Sequence, residues 1–230
     1  MITHLIFDLD DTLYPSTAKM GDGITYRMLA FVADYLKVSF EEGRRLRARD
    51  MPSYGTTLEW LMGARGLKDQ ESFFAAVHPA EETNDLDPDP NLRPFLETIK
   101  LPKVILTNAP REHADRVLDF LNVRDLFDGI VDIRKNNLKG KPYEYAYRNA
   151  LNLTDGTVND TLFLDDARKY TEGWTRLGGD AILVGPQKNP FDIKANMNVL
   201  LLPVPDVHAG NTMHIDSVYG LTEILSNLNG

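Results

Sequence analysis

The sequence predicts an α/β fold, a Rossmann-like parallel sheet with helices on both faces and an α-helical insert after the first strand. Three observations predict it. Short apolar runs without clean alternation recur along the chain, as strands covered on both faces require. Stretches with helical periodicity lie between successive runs, so strand and helix alternate. One long stretch, 16–89, carries helical periodicity and no convincing strand.

The first run, 4–9, lies between Thr3 and Asp10 and opens the sheet. In the insert, Ile24, Met28, Phe31 and Tyr35 recur at helical spacing with Leu29, Val32 and Leu36 beside them. Leu58, Leu61 and Met62 make a second apolar face, and Phe73, Phe74 and Val77 a third. Pro79, Pro88, Pro90 and Pro94, set among acids, mark the return to the sheet, and a helix resumes over 91–99. Strands are expected at 103–106, 129–131, 161–164 and 181–184. The helix between the first two spans 112–121, with Ala114, Val117, Leu118 and Leu121 on one face. A helix over 143–151 follows Pro142, a favourable first-turn residue. Another over 172–177 stops at Gly178 and Gly179. The stretch 186–213 fits this alternation less well. Within it 198–202 reads as a strand and 203–213 as a loop, and a last helix is expected over 217–228. Residues 1–15 and 90–230 would thus form the core domain, and 16–89 the helical insert.

Composition narrows the function. Hydrophobic residues make up 43% of the 230, enough for a substantial core, and the formal charge is −9. That balance argues against a nucleic-acid polymer as partner, which needs clustered Lys and Arg. Cysteine is absent, which excludes disulfides, thiolate nucleophiles and Cys-ligated zinc. There is no basic leader and no apolar run long enough for a membrane span, so a cytoplasmic location is expected.

The chemistry gathers at strand ends, where open parallel sheets bind ligands. Asp8, Asp10 and Asp11 follow the first strand directly, and Asp165 and Asp166 follow the strand at 161–164. An acidic turn also arises simply as a helix cap. Two strand ends that both present carboxylates, however, repel each other unless a cation lies between them, and hard oxygen donors select Mg²⁺. Thr107 and Asn108, after the strand at 103–106, can donate to an oxyanion or can cap the next helix. Lys141 precedes Pro142 and can neutralise phosphate charge, with Lys135 and Lys139 as rivals by position.

Together these segments resemble the haloacid dehalogenase-like (HAD) superfamily. The resemblance lies in Asp8-Leu9-Asp10-Asp11-Thr12-Leu13, Leu106-Thr107-Asn108, Lys141-Pro142 and Leu164-Asp165-Asp166, in that order, and covers almost the whole chain. The insert is similar to the C1-type cap of subfamily I. Phe7 with the eight residues after it, and Asn108-Ala109-Pro110, look like the pyrimidine 5′-nucleotidase branch. The sequence departs from many relatives at Ala167 and Tyr170, where Ser and Asn or Gly are usual.

The resemblance implies a Mg²⁺-dependent phosphomonoesterase. Asp8 would be the nucleophile, forming an aspartyl-phosphate, and Asp10 the general acid and base. Thr107, Asn108 and Lys141 would bind phosphate. The metal would lie among the Asp8 carboxylate, the Asp10 backbone carbonyl and Asp166, with Asp165 close or also bound. A dehalogenase needs the first acid but no general acid and no metal, so Asp10 points to phosphoryl chemistry. A small phosphomonoester is the expected partner, a nucleoside 5′-monophosphate first and a sugar phosphate or phosphoglycolate second, acted on by a monomer or homodimer. Tyr26, Arg27, Arg47, Arg49, Tyr54 and Trp60 of the insert could meet a leaving group, but read first as core or solvated helix face. A phosphoacceptor receiver domain uses similar acids, but is shorter and places its Asp on an internal strand. A non-catalytic scaffold has no physical need to keep such like charges together.

Overall fold

The computed structural model describes residues 1–186 and 210–230. These fall into two compact units, one of Met1–Thr17 with the described residues from Pro88 onward, the other of Ala18–Asp87.

The first unit is a six-stranded sheet with every neighbouring pair parallel. Its strands are β1 (His4–Phe7), β2 (Lys103–Leu106), β3 (Gly129–Val131), β4 (Thr161–Asp165), β5 (Ala181–Val184) and β6 (Thr212–Ile215), in the order β3-β2-β1-β4-β5-β6. Strand order reverses between β1 and β4, which are direct neighbours with Phe7 opposite Leu164. Such a switch point opens a crevice at the carboxyl ends of the strands. The central strands are buried along almost their whole length, which explains why they lack alternation.

Helices α5 (Leu92–Thr98), α6 (Arg111–Phe120), α7 (Glu144–Leu151) and α8 (Arg168–Thr175) connect the strands, and α9 (Leu221–Asn229) follows the sheet. One core cluster joins Ile6, Val104, Leu106, Val131 and Phe163 of the sheet to Ala146, Tyr147, Ala150 and Trp174 of α7 and α8. Tyr147 and Trp174 both meet the Phe163 ring, with centroids 5.4 and 6.0 Å away. Such aromatic packing adds about 1 kcal/mol per pair beyond the area it buries.

The second unit is helical: α1 (Lys19–Leu36), α2 (Phe40–Asp50), α3 (Thr57–Arg65) and α4 (Gln70–Val77). Met20, Leu29, Val32 and Ala33 form the buried stripe of α1, whereas Ile24, Met28, Phe31 and Tyr35 are half-buried beside it. α2 is absent from the sequence expectation because FEEGRRLRARD carries almost no apolar face. Its one buried residue, Gly43, lies against α1, and a Cβ there would come 3.1 Å from Ala33 Cα. Trp60 is fully buried, Arg47 donates to Thr57 Oγ1, Arg49 pairs with Asp50, and Arg27 donates to Val77 O. Tyr26 is 64% exposed.

Two further expectations need correction. The loop assigned to 203–213 overlaps β6, which begins at Thr212 and pairs with β5 in register Ala181 to Thr212. β6 is an edge strand whose one buried residue is Ile215, so it lacks the apolar run that marks an interior strand. The helix expected at 172–177 begins at Arg168, four residues earlier. The strand expected at 198–202 lies outside the described residues. No described helix is long and apolar enough to cross a membrane.

Candidate active site

The β1–β4 pairing brings two of the expected acids together. Asp8 N–H donates to Leu164 O at 2.8 Å, which extends the ladder one step beyond β1 and aligns Asp8 with Asp165. Both carboxylates are buried, at 6% and 0% exposure, and Asp166 adjoins them half-buried. Carboxylate oxygens of Asp8, Asp165 and Asp166 lie within 4.8 Å of one another.

Lys141 enters this cluster from the loop after β3. Its Nζ is 2.7 Å from Asp8 Oδ1 and 2.5 Å from Asp165 Oδ2, and its side chain is 1% exposed. Burial opposes the ammonium charge, but Asp165 and Asp8 more than offset that and hold it above the ordinary lysine value. The rivals lie elsewhere: Lys135 Nζ donates to Ile130 O, and Lys139 is exposed. Burial, and then Asp165, push the Asp8 carboxyl well above its ordinary value, with Asp166 and Asp10 adding and Lys141 countering. Burial likewise raises Asp165 against the pull of Lys141. One lysine thus leaves negative charge uncompensated among three carboxylates. An all-oxygen donor set in that state fits a hard divalent cation such as Mg²⁺.

The loop carrying Lys141 is fastened by Asn108. Asn108 Oδ1 accepts from Lys141 N–H at 2.7 Å, and Nδ2 donates to Lys141 O at 3.1 Å. The Asn108 amide therefore has both ends on the Lys141 backbone, a role the sequence did not suggest. Gly140 permits this approach: its φ is +49°, and a Cβ there would overlap Asn108 Oδ1 at 2.0 Å. Asn108→Ala strands both backbone groups of Lys141, and an expected loss of about 1–3 kcal/mol is measurable by denaturant unfolding. Thr107 is 1% exposed, and its hydroxyl accepts from Ala109 N–H at 3.0 Å. Tyr170 closes over the lysine: Nζ lies 5.0 Å from its ring centroid, and its hydroxyl bonds Asn108. Burial, with Lys141 countering, pushes the Tyr170 phenol up to about 12.

Asp10 has surroundings of its own. Its Oδ1 receives the Tyr14 hydroxyl at 2.5 Å and lies 2.7 Å from His113 Nε2. Tyr14 lies within the run after Phe7 that carries the resemblance, but the sequence assigns no role to it or to His113. His113 does carry a signal: it stands four residues before Val117 on the apolar face of α6, and both are fully buried. A titratable residue on a buried helix face, one turn past a strand end, needs a polar partner.

Residues 2–169 match the model of a hydrolase family described as haloacid dehalogenase-like hydrolase. Phosphate metabolism protein 8 of Saccharomyces cerevisiae is 28% identical over 132 residues, a match covering 54% of this chain and 41% of the yeast protein. The chain thus matches less than half the length of that curated relative. A HAD phosphatase from Thermococcus onnurineus has a similar fold, with TM-score 0.62, 16% identity and coverage of 97% of this chain and 98% of that one. So does L-2-haloacid dehalogenase from Xanthobacter autotrophicus, with TM-score 0.60, 20% identity and 99% of each chain covered.

Proposed function

Since the chain belongs to the haloacid dehalogenase-like hydrolases, we propose that it hydrolyses phosphomonoesters through an aspartyl-phosphate on Asp8. The observation that carries this reading is Lys141 bridging Asp8 and Asp165 inside an acidic cluster that calls for a cation. Asp8 attacks phosphorus, and Asp10 protonates the leaving oxygen and then takes a proton from the attacking water. Lys141 and the Thr107 hydroxyl hold the phosphoryl oxygens, and the Asn108 amide holds Lys141 in place. Mg²⁺ would be held by Asp8, the Asp10 carbonyl and Asp166. Asp165 already accepts at both oxygens, from Lys141 and from Ala167 N–H, which favours Asp166 as direct ligand. When bound, the metal supplies positive charge that offsets the carboxylates and the phosphoryl group.

Asp10 distinguishes this reading from dehalogenation, the activity in the name of the Xanthobacter neighbour, because halide departure needs no proton. The helical unit would act as the cap that selects the leaving group. The motif run after Phe7 and Asn108-Ala109-Pro110 support a nucleoside 5′-monophosphate as substrate, and the yeast relative's name points toward phosphate metabolism.

Phosphate release over a panel of nucleotides, sugar phosphates and p-nitrophenyl phosphate tests the reading. Turnover is expected with Mg²⁺, loss on chelation, recovery on readdition, and preference for nucleoside monophosphates. A preference for sugar phosphates would overturn the nucleotidase assignment, and absence of any Mg²⁺-dependent turnover would overturn the phosphatase itself.

A further inference from the structure

We propose that His113 and Tyr14 are positioning residues that aim Asp10 for proton transfer by clamping one of its carboxylate oxygens. The inference rests on the function proposed above, and it assigns work to two residues that function does not need.

Both contacts fall on the same atom. Tyr14 O–H donates to Asp10 Oδ1 at 2.5 Å, and His113 Nε2 lies 2.7 Å from it. When Asp10 is ionised it can only accept, so in that state the imidazole presents Nε2–H to it. The donors come from different parts of the chain, Tyr14 from the turn after β1 and His113 from α6, 103 residues away. Two donors arriving from separate elements fix both torsions of a short side chain. They are themselves buried: the His113 side chain is 0% exposed and Tyr14 is 3% exposed, while the Asp10 side chain stays 30% exposed. Buried groups thus hold the more exposed group that must exchange protons. The orientation is set during folding rather than on binding, which is how positioned catalytic groups gain their advantage.

In the first step the Asp8 oxygen–phosphorus bond forms, the ester phosphorus–oxygen bond breaks, and the Asp10 carboxyl proton passes to the departing alkoxide. In the second, water attacks phosphorus, the Asp10 carboxylate takes a water proton, and the Asp8–phosphorus link breaks. Proton and charge return to their starting places.

Leaving groups separate a positioning role from a structural one. A p-nitrophenolate leaves without a proton, whereas an alkoxide needs one. The experiment compares kcat/KM on p-nitrophenyl phosphate with that on the alkyl phosphate hydrolysed fastest in the panel, using the full chain with Mg²⁺. Asp10→Asn sets the full size of the difference. Tyr14→Phe and His113→Leu should each lower the alkyl-ester value about tenfold or more while the aryl-ester value moves less than about threefold. His113→Gln, which returns an N–H donor, should recover most of the loss. Tyr14→Phe keeps the ring in place, so it decides the matter alone if His113→Leu does not fold. Equal losses on both esters, or no loss on either, overturn the inference and leave the proposed function standing. A wild-type chain that hydrolyses neither ester overturns both.

Discussion

Asp8→Asn is expected to abolish turnover, lowering kcat by about 10⁴-fold or more on every ester the wild-type chain accepts. Removal of a nucleophile from a covalent mechanism leaves positioning and electrostatics alone to act, and deletions of this kind fall in that range. The substitution is nearly isosteric, and it removes one of three crowded carboxylates, the one at Asp8, whose ionisation burial opposes. Lys141 keeps its contact with Asp165. The thermal midpoint should therefore not fall, which separates lost chemistry from lost folding. Steady-state kinetics and a melting curve on one preparation check both halves. Activity within tenfold of wild type would remove Asp8 from the mechanism.

Lys141→Met should damage stability and activity together. The ammonium is the one cation in contact with both Asp8 and Asp165 among the described residues, and all three side chains are buried. Methionine fills the stem's volume but leaves two buried carboxylates facing each other. Breaking a buried pair in this way costs about 3–5 kcal/mol. The loss should be read by denaturant unfolding without metal. Mg²⁺ should return part of it, because a divalent cation binding the native cluster stabilises by linkage. Activity should stay at least about a hundredfold down even with Mg²⁺, since a phosphoryl-oxygen donor is gone. A variant as stable as wild type in chelator would contradict the electrostatic reading of the cluster.

How far the sequence reaches depends on which physical signal each residue carries. The strands β2, β3 and β5 are legible to the residue because they are buried runs abutting polar turns. Asp8 and Asp165 are legible as strand-end acids, but their adjacency follows from Phe7 pairing with Leu164, a register that no local pattern encodes. β6 escapes because an edge strand such as TMHI needs no apolar run. α2 escapes because Gly43, which brings it against Ala33, contributes no hydrophobicity. Asn108 is legible as a polar residue at a strand end, yet its partners depend on the turn at Gly140 that returns Lys141 to it. His113 is hidden for the same reason, since it meets Asp10 across 103 residues, whereas Tyr14 lies four residues from Asp10 in a turn that no periodicity marks.

The most direct test is to trap the covalent intermediate in Asp10→Asn, which lacks the base that activates water. Mixed with p-nitrophenyl phosphate and Mg²⁺, that variant should release a burst approaching one equivalent of p-nitrophenolate. After acid quench, a hydroxylamine-labile phosphoryl adduct should map to the peptide carrying Asp8. A burst whose adduct maps to any other residue, or wild-type hydrolysis with no trappable adduct in the variant, would contradict the mechanism.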